Sequence, residues 1–454
     1  MVSELVNLGR GTITNLICAG GRQALDWSSD YRVFSKARWE PGGLFGVIRR
    51  EILGMLEKGS PLVAVMDDTR VKKTGRRIPG VSYFRDPLSP AFHCNLILGQ
   101  RFLQISALLP SQNELGPARA IPIQYLHSPS VKKPGSKAGA EEWGEYRSRC
   151  RVQNLSVDGV QALKNLRAEL DQKDGCRDRK LLISVDGSYC NQTVLRSLPE
   201  RTILIGRIRK DAQLHHFPEE SDRSGPGAKI KYGAQAPRPE QIRQDAQIPW
   251  QEVKAFACGR WFRFRVKTIS PLLWRKAGPE LKLRLLVIAP LGYRLRKGSR
   301  LLYRQPAYLI CTEPGLPLEQ LLQYYLWRWD IEINHRDEKQ IFGVGQAQVW
   351  SENSVARAPA FAVASYAMLL LAGEKACRES GSRLALPPPK WRQNREQPRN
   401  STQDFLRQLR YELWGKTLGR QKMNYQGFAL PTRPDTKPKK FKISLASSVL
   451  YQIS

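Results

Sequence analysis

The sequence predicts an α/β protein with a mixed sheet flanked by helices, a β-rich insertion that interrupts the sheet, and a small helical domain in front. Three observations predict this class. Between residues 61 and 210, apolar strand-like runs alternate with amphipathic helical patterns. From Trp250 to Thr312 the strand signals return, separated by glycine turns. Residues 1–60 carry helical periodicity without strands.

The first 60 residues contain three short helical patterns. They cover Thr12–Ala19, Tyr31–Lys36 and Gly43–Lys58. The first pattern is similar to the second helix of a helix-turn-helix motif. Two outcomes are open for it: Thr12, Thr14 and Asn15 contact DNA, or the helix simply packs against its neighbours.

The central part supplies the elements of the predicted sheet. The predicted strands are Pro61–Met66, Phe92–Leu98, Phe102–Leu109, Leu181–Val185 and Ile203–Ile208. A helix is predicted over Val157–Gln172, because leucines recur on one face. The polar stretches Ser128–Tyr146 and Pro218–Gln247 indicate a loop and a linker.

Helices dominate the last third of the chain. One long helix is predicted over Leu318–Phe342, and a buried one over Pro359–Ala372 with proline in its first turn. A basic linker (Pro387–Asn400), an amphipathic helix (Thr402–Trp414) and a disordered tail (Pro431–Lys440) follow. The predicted domain limits are therefore 1–60, 61–210, 211–312, 313–378 and 379–454.

The chain is strongly basic. Its 454 residues contain 73 Lys and Arg against 41 Asp and Glu, a formal charge of +32, which favours a polyanionic partner. The eight cysteines form no metal-binding spacing, which favours a reduced, cytoplasmic protein without a zinc site. The apolar run Ala358–Ala372 is shorter than a membrane span and no signal peptide is evident, so no membrane association is expected.

Carboxylates stand at the ends of two predicted strands. Asp67 and Asp68 end the first strand, and Asp186 ends a later one. Carboxylates held on rigid strand ends suit metal coordination. The alternative is that each aspartate forms a turn or caps a helix, which is plausible for Asp186 before Gly187.

The long helix carries a patterned polar face. Five polar residues recur at intervals of three and four, and such spacing places them on one side of a helix. They are Tyr325, Arg328, Glu332, His335 and Lys339. A carboxylate between cations could bind a metal at the centre and phosphates at both ends.

These residues resemble a known family. Tyr325, Arg328, Glu332 and Lys339 match the Tyr/Arg/Glu/Lys signature of the DDE transposases of cut-and-paste bacterial insertion sequences, and His335 extends the match. The resemblance implies an RNase H-like fold. It also implies a catalytic triad that holds two Mg²⁺ ions, with Mn²⁺ as a possible substitute. The triad residues would be Asp68, Asp186 and Glu332.

Two details of this resemblance matter for the site. Asp68 is preferred to Asp67 because the family's aspartate precedes threonine, and Asp67 should point to the opposite face of the strand. Asp186 is followed by Gly-Ser-Tyr, where better-known members carry charged residues. The subgroup is therefore less defined than the triad.

The resemblance also implies an activity. Such a protein binds the terminal inverted repeats of an element, cleaves the ends and joins the 3′-hydroxyl strands to target DNA, as a homodimer in a synaptic complex. Tyr325, Arg328 and Lys339 would hold phosphates and His335 would also contact the DNA, while Trp329 would either stack on a base or pack in the core. A DNA-binding regulator without cleavage and a non-transposing RNase H-like nuclease are the alternatives.

Two basic segments point to DNA independently of the resemblance. Residues Arg260–Arg304 contain 13 Lys and Arg and one acidic residue. Strand alternation there should place Arg263, Arg265 and Lys267 on one face, as a phosphate-binding row or a charged edge strand. After Asp68, four cations either contact phosphate or simply lie in an exposed loop: Lys72, Lys73, Arg76 and Arg77.

Overall fold

The structure is a computed structural model of the chain. It describes residues 1–418 except 87–88, 91–92, 94, 112–114, 220–228, 297 and 381–398. The predicted tail at Pro431–Lys440 and most of the predicted linker at Pro387–Asn400 lie outside these residues, as does the start of the strand predicted at Phe92.

Twelve helices are present in the described residues. They are α1 (Val2–Val6), α2 (Ile13–Ala19), α3 (Ser28–Ser35), α4 (Pro41–Met55), α5 (Ala140–Val152), α6 (Leu155–Gln172), α7 (Gln192–Leu195), α8 (Pro239–Gln244), α9 (Leu318–Leu326), α10 (Trp329–Gln340), α11 (Glu352–Ser380) and α12 (Thr402–Leu418).

Twelve strands accompany them in the same part of the chain. They are β1 (Leu62–Lys72), β2 (Ser82–Arg85), β3 (Leu96–Pro110), β4 (Ala118–His127), β5 (Leu181–Val185), β6 (Thr202–Arg207), β7 (Gln251–Ala257), β8 (Arg260–Trp274), β9 (Gly278–Ile288), β10 (Gly292–Tyr293), β11 (Leu302–Tyr303) and β12 (Ala307–Cys311).

Ten of the strands form one mixed sheet. Its order is β2-β3-β1-β5-β6-β12-β9-β8-β7, with β4 also paired to β3. Strands β1, β5 and β6 run parallel to one another, whereas β3 and β12 are antiparallel to their neighbours. Strands β5 and β6 end within a residue or two of the same level, whereas β1 continues beyond Met66 to Lys72 along β3. The predicted mixed α/β architecture is confirmed at this level.

Helices cover both faces of the sheet, because each central strand is apolar on both sides. On one face, α6 and the long α11 pack with Met66, Ile183 and Val185. On the other face, α9 and α10 pack with Val65 and Leu182. Helices α9 and α10, which carry Tyr325, Glu332 and Lys339, thus cover the face to which alternate residues of β1 and β5 point.

The strands of the predicted insertion extend the core sheet. Strand β12 pairs with β6 on one side and with β9 on the other, and β8 and β7 follow outwards. The predicted limit at residue 211 therefore falls within a continuous ten-stranded sheet. Helix α4 also packs into the core through Phe45, Ile48 and Ile52.

Several predicted elements were wrong in detail. The two strands predicted around residues 99–101 are one strand, β3, because Gly99-Gln-Arg continues the ladder. Helix α11 begins at Glu352, so Pro359 lies inside it and not in its first turn. Strand β4 was not predicted, and α5 occupies part of the polar stretch assigned to a loop.

One helix of the described residues, α11, is long and apolar enough to cross a membrane. Most of its apolar stretch is buried inside the protein, as in the core helix of a soluble fold. The seven cysteines of the described part are free.

Candidate active site

The site lies where strand β5 ends beside the middle of β1. Met66 pairs with Val185, so Asp67 within β1 and Asp186 just after β5 lie at the same level and on the same face. This is the face covered by α9 and α10. The prediction that Asp67 and Asp68 end their strand is wrong, because β1 continues to Lys72 by pairing with β3. One carboxylate oxygen of Asp186 accepts hydrogen bonds from the backbone N–H and the hydroxyl of Ser188 (2.9 and 2.6 Å). Asp186 therefore forms the turn that the sequence allowed, as well as standing at the strand end.

Asp67 and Asp68 point to opposite faces of β1, as predicted, yet both belong to one electrostatic cluster. Burial raises the pKa of Asp67, which His335 and Arg328 lower and the negative charge of Asp186 raises, and the net pKa is about 6. Burial also raises the pKa of Asp68, against which Arg70 and Arg101 act. Asp186 therefore lies close enough to repel both carboxylates.

The predicted long helix is two helices with a turn at Trp327 and Arg328. The turn arises because Trp327 is buried and its indole N–H donates to the Gly116 carbonyl (2.7 Å), which ends α9 against the sheet. Trp327 and Arg328 nevertheless keep right-handed helical backbone angles, and Arg328 contacts both Tyr325 and Glu332, so these three residues share one side of the α9–α10 pair as predicted. Arg328 also reaches Asp67 of β1.

Arg328 contacts side chains from both the sheet and the helices. Its guanidinium lies 3.4 Å from an Asp67 oxygen and 3.7 Å from a Glu332 oxygen, and its side chain is only 17% exposed. The guanidinium also donates a hydrogen bond to the Tyr325 hydroxyl, and burial raises the pKa of Tyr325. Arg328 thus bridges the strand carboxylate to the helix carboxylate. The sequence predicts Asp68 as the β1 carboxylate of the site, whereas the residue of β1 in contact with Arg328 is Asp67.

The remaining signature residues differ in accessibility. Lys339 is exposed, and its ammonium is an electrostatic neighbour of Asp68 and Glu332. Trp329 is 63% exposed, so core packing is wrong for it and stacking on a ligand stays a prediction. His335 is buried and 3.4 Å from the buried carboxylate of Glu338, so direct contact of His335 with DNA is wrong.

A family model described as DDE superfamily endonuclease matches residues 5–277, which is more than half of the chain. The chain belongs to the DDE superfamily of endonucleases. The matched residues include Asp67, Asp68 and Asp186, whereas Glu332 on α10 lies beyond them. No curated protein matches this endonuclease.

DDE superfamily endonucleases use divalent metal ions, typically Mg²⁺, and the donor types at this site fit that requirement. Asp67, Asp68, Asp186 and Glu332 offer hard carboxylate oxygens, the ligands that Mg²⁺ prefers. The neighbouring Nε2 of His335 is buried without a hydrogen-bond partner.

The carboxylates, however, are not gathered closely enough to surround an ion. Within the described residues, no group of three or more His, Cys, Asp and Glu side chains is close enough to hold an ion. The cation between Asp67 and Glu332 is the guanidinium of Arg328.

Two predicted DNA-binding lysines of this endonuclease are structural. Lys267 is 2% exposed, and its ammonium donates to the carbonyls of Ile242, Arg243 and Asp245. Lys73 is 5% exposed and donates to the Gly345 and Ala347 carbonyls (2.8 and 3.1 Å), while burial lowers its pKa to about 8. DNA contact is therefore wrong for both, because each caps backbone groups that would otherwise be unsatisfied.

The other predicted cations are exposed. Arg263 and Arg265 project from β8, with Arg263 3.6 Å from Glu252 and Arg265 above the ring of Trp250. Strand β8 lies four strands from β5, which separates the two strands by about 19 Å across the sheet. In the segment after β1, Lys72, Arg76 and Arg77 are exposed, and Lys72 lies 3.9 Å from Asp86.

The helix predicted to resemble a helix-turn-helix is largely engaged in the fold. Thr12 caps α2 by accepting from the Asn15 N–H, and the Asn15 side chain is 3% exposed and donates to the Arg10 carbonyl. Thr14 shares a hydrogen bond with Tyr31 (3.0 Å). DNA contact through Asn15 is therefore wrong, and packing of the helix is the better description.

Proposed function

We propose that this DDE superfamily endonuclease is a DNA transposase that binds terminal inverted repeats, cleaves the ends of its element and joins the 3′-hydroxyl strands to target DNA. The observation that carries the proposal is that Arg328 contacts both Asp67 and Glu332, while the register of β1 and β5 places Asp186 level with Asp67 on the same face of the sheet. A homodimer that pairs two ends is part of the proposal, and the net charge of +32 favours DNA as partner.

Asp186 and Glu332 would hold divalent metal, with Asp68 or Asp67 as the first-strand ligand. Mg²⁺, when bound by such oxygens, supplies charge that stabilises the attacking and leaving oxygens of phosphodiester cleavage. Asp67 shares its face with Asp186 and Arg328, whereas Asp68 lies with Arg70 and Arg101. The geometry therefore supports testing both aspartates.

Arg328 has a double role in this proposal. In the DNA-free chain it neutralises Asp67 and Glu332. A phosphate brought to the site competes for the same guanidinium, because arginine binds phosphate by a two-pronged fork. Transfer of Arg328 to the phosphate would leave both carboxylates available, so DNA binding and assembly of the site would be coupled.

The test is an assay with labelled duplexes that carry the element's inverted repeat and a plasmid target. A transposase cleaves the labelled end and joins it to the plasmid in the presence of Mg²⁺. Cleavage without joining would favour a non-transposing nuclease. Specific binding without cleavage would favour a regulator. Either of these two outcomes contradicts the proposal.

A further inference from the structure

A second basic surface lies next to the carboxylate site. It is a cavity of about 1140 Å³ that opens between the ends of β5 and β6, the β8–β9 turn and strand β11. Gly187, which directly follows Asp186, and Cys190 form part of its wall, so the cavity adjoins the carboxylate site. Arg275, Lys276 and Arg304 belong to the basic segment Arg260–Arg304, whereas Arg207 and Lys210 lie outside every basic segment identified from the sequence.

The wall has an excess of positive charge. Seven cations and two carboxylates line the cavity. Both carboxylates are already paired, Asp211 with Arg209 (2.9 Å) and Glu240 with Arg243 (2.6 Å). Five exposed cations form no ion pair with any carboxylate in the described part of the chain. They are Arg207, Lys210, Arg275, Lys276 and Arg304.

Aromatic rings accompany these cations. Tyr303 lines the cavity and is 64% exposed. Lys276 lies 5.1 Å from the ring of the buried Trp274, and Arg304 lies 5.3 Å from that of the half-buried Tyr293, so these two rings support cations while Tyr303 is the exposed ring of the wall. An exposed aromatic ring among cations is typical of surfaces on which bases stack while the backbone is neutralised.

The shape of the cavity indicates which nucleic acid it can hold. Small-molecule pockets have about 300–1,000 Å³, so this cavity exceeds them only slightly. A duplex presents its phosphates on a broad convex cylinder, whereas a concave cavity admits one strand. Because the cavity starts at Gly187, a strand leaving the carboxylates would enter it directly.

We propose that this cavity binds a single-stranded DNA segment next to the cleaved phosphodiester, with Arg207, Lys210, Arg275, Lys276 and Arg304 on its phosphates and Tyr303 against a base. The proposal rests on the proposed DNA-cleaving function. It adds a strand-binding site that is separate from the signature helices and from strand β8.

Binding of labelled 12-nucleotide oligothymidylate to the full chain, without divalent cations and at several salt concentrations, tests the proposal. Replacing Arg275 and Lys276 together by alanine should weaken binding about tenfold and reduce the salt slope by about 1.4, since a single strand contributes about 0.7 per neutralised phosphate. The matched control replaces Arg149 and Arg151, two exposed cations of α5, and should change neither quantity.

Two further measurements complete the design. Photocrosslinking of an iodouracil-substituted strand should label the peptide with Tyr303, and Tyr303→Ala should abolish that product. When Arg275 and Lys276 are replaced by alanine, the affinity for a duplex of equal length should fall much less than the affinity for the single strand. An unchanged salt slope, an equal loss for duplex, or crosslinks only outside the cavity would overturn the proposal. Since no cleavage is measured, these failures are independent of the proposed transposase activity.

Discussion

Burial of the Asp67 carboxylate should make the free energy of unfolding depend on pH, even without DNA. Its side chain is 15% exposed and lies 3.4 Å from Arg328. Burial nevertheless dominates and raises its pKa from 3.8 to about 6. The folded protein therefore binds a proton more tightly at Asp67 than the unfolded chain does, so stability falls as pH rises from about 3.8 to 6.

Replacing Asp67 by asparagine removes this cost while keeping the shape of the side chain. Each pKa unit corresponds to about 1.36 kcal/mol, so a rise from 3.8 to about 6 costs the fold about 3 kcal/mol above pH 6. The Asp67→Asn variant should therefore be more stable than the wild type by up to about 3 kcal/mol at pH 7. The two proteins should become equal below about pH 4.

Thermal unfolding from pH 4 to 7.5, in the presence of a chelator, measures the effect. With an unfolding entropy of about 2.1 cal/mol/K per residue, 3 kcal/mol corresponds to about 3 °C for this chain. Glu319→Gln, which neutralises an exposed carboxylate of α9, is the control and should follow the wild type at every pH. A variant no more stable than the wild type at pH 7, or a pH-independent difference, would refute the burial argument.

Three further outcomes are expected. Lys267→Met should destabilise the fold by about 2–4 kcal/mol in denaturant titrations, because three backbone carbonyls lose their donor, without changing the salt slope of DNA binding. Replacing Arg263 and Arg265 by alanine should instead lower the slope for duplex DNA by about 1.8, and an unchanged slope would exclude a DNA surface there. The stability of the wild type relative to Lys73→Met should rise between about pH 8 and 10.5, since the folded lysine loses its proton first; a flat difference would contradict this.

The apolar patterns predicted the central strands and α6 because burial on both faces leaves a clear signal. Sequence could not predict that β3 continues through Gly99-Gln-Arg, since a glycine inside a ladder resembles a turn. It also could not predict the break at Trp327, which depends on a distant carbonyl at Gly116. Tertiary contacts decided both elements.

The site was predictable in composition but not in arrangement. The aspartates near the predicted strand ends and the Tyr/Arg/Glu/Lys spacing indicated the residues. Strand alternation places Asp67 and Asp68 on opposite faces of β1, but it does not tell which face α9 and α10 cover. The packing of Val65 with these helices supplies that information. Lys267 was assigned to DNA from strand alternation and Lys73 from its place in a basic segment, and neither pattern shows the backbone carbonyls that each lysine satisfies. Gly345, with φ near 93°, turns such a carbonyl towards Lys73.

The central claim is that the carboxylates of β1, β5 and α10 act together in metal-dependent DNA cleavage. The most direct measurement is the rate of Mg²⁺-dependent cleavage of element-end DNA by the wild type, Asp67→Asn, Asp68→Asn, Asp186→Asn and Glu332→Gln, with Glu319→Gln as the control. We predict losses of at least about a hundredfold for Asp186→Asn, Glu332→Gln and one of the two β1 variants, with unchanged DNA affinity and an active control. Wild-type rates in Asp186→Asn or Glu332→Gln would contradict the account.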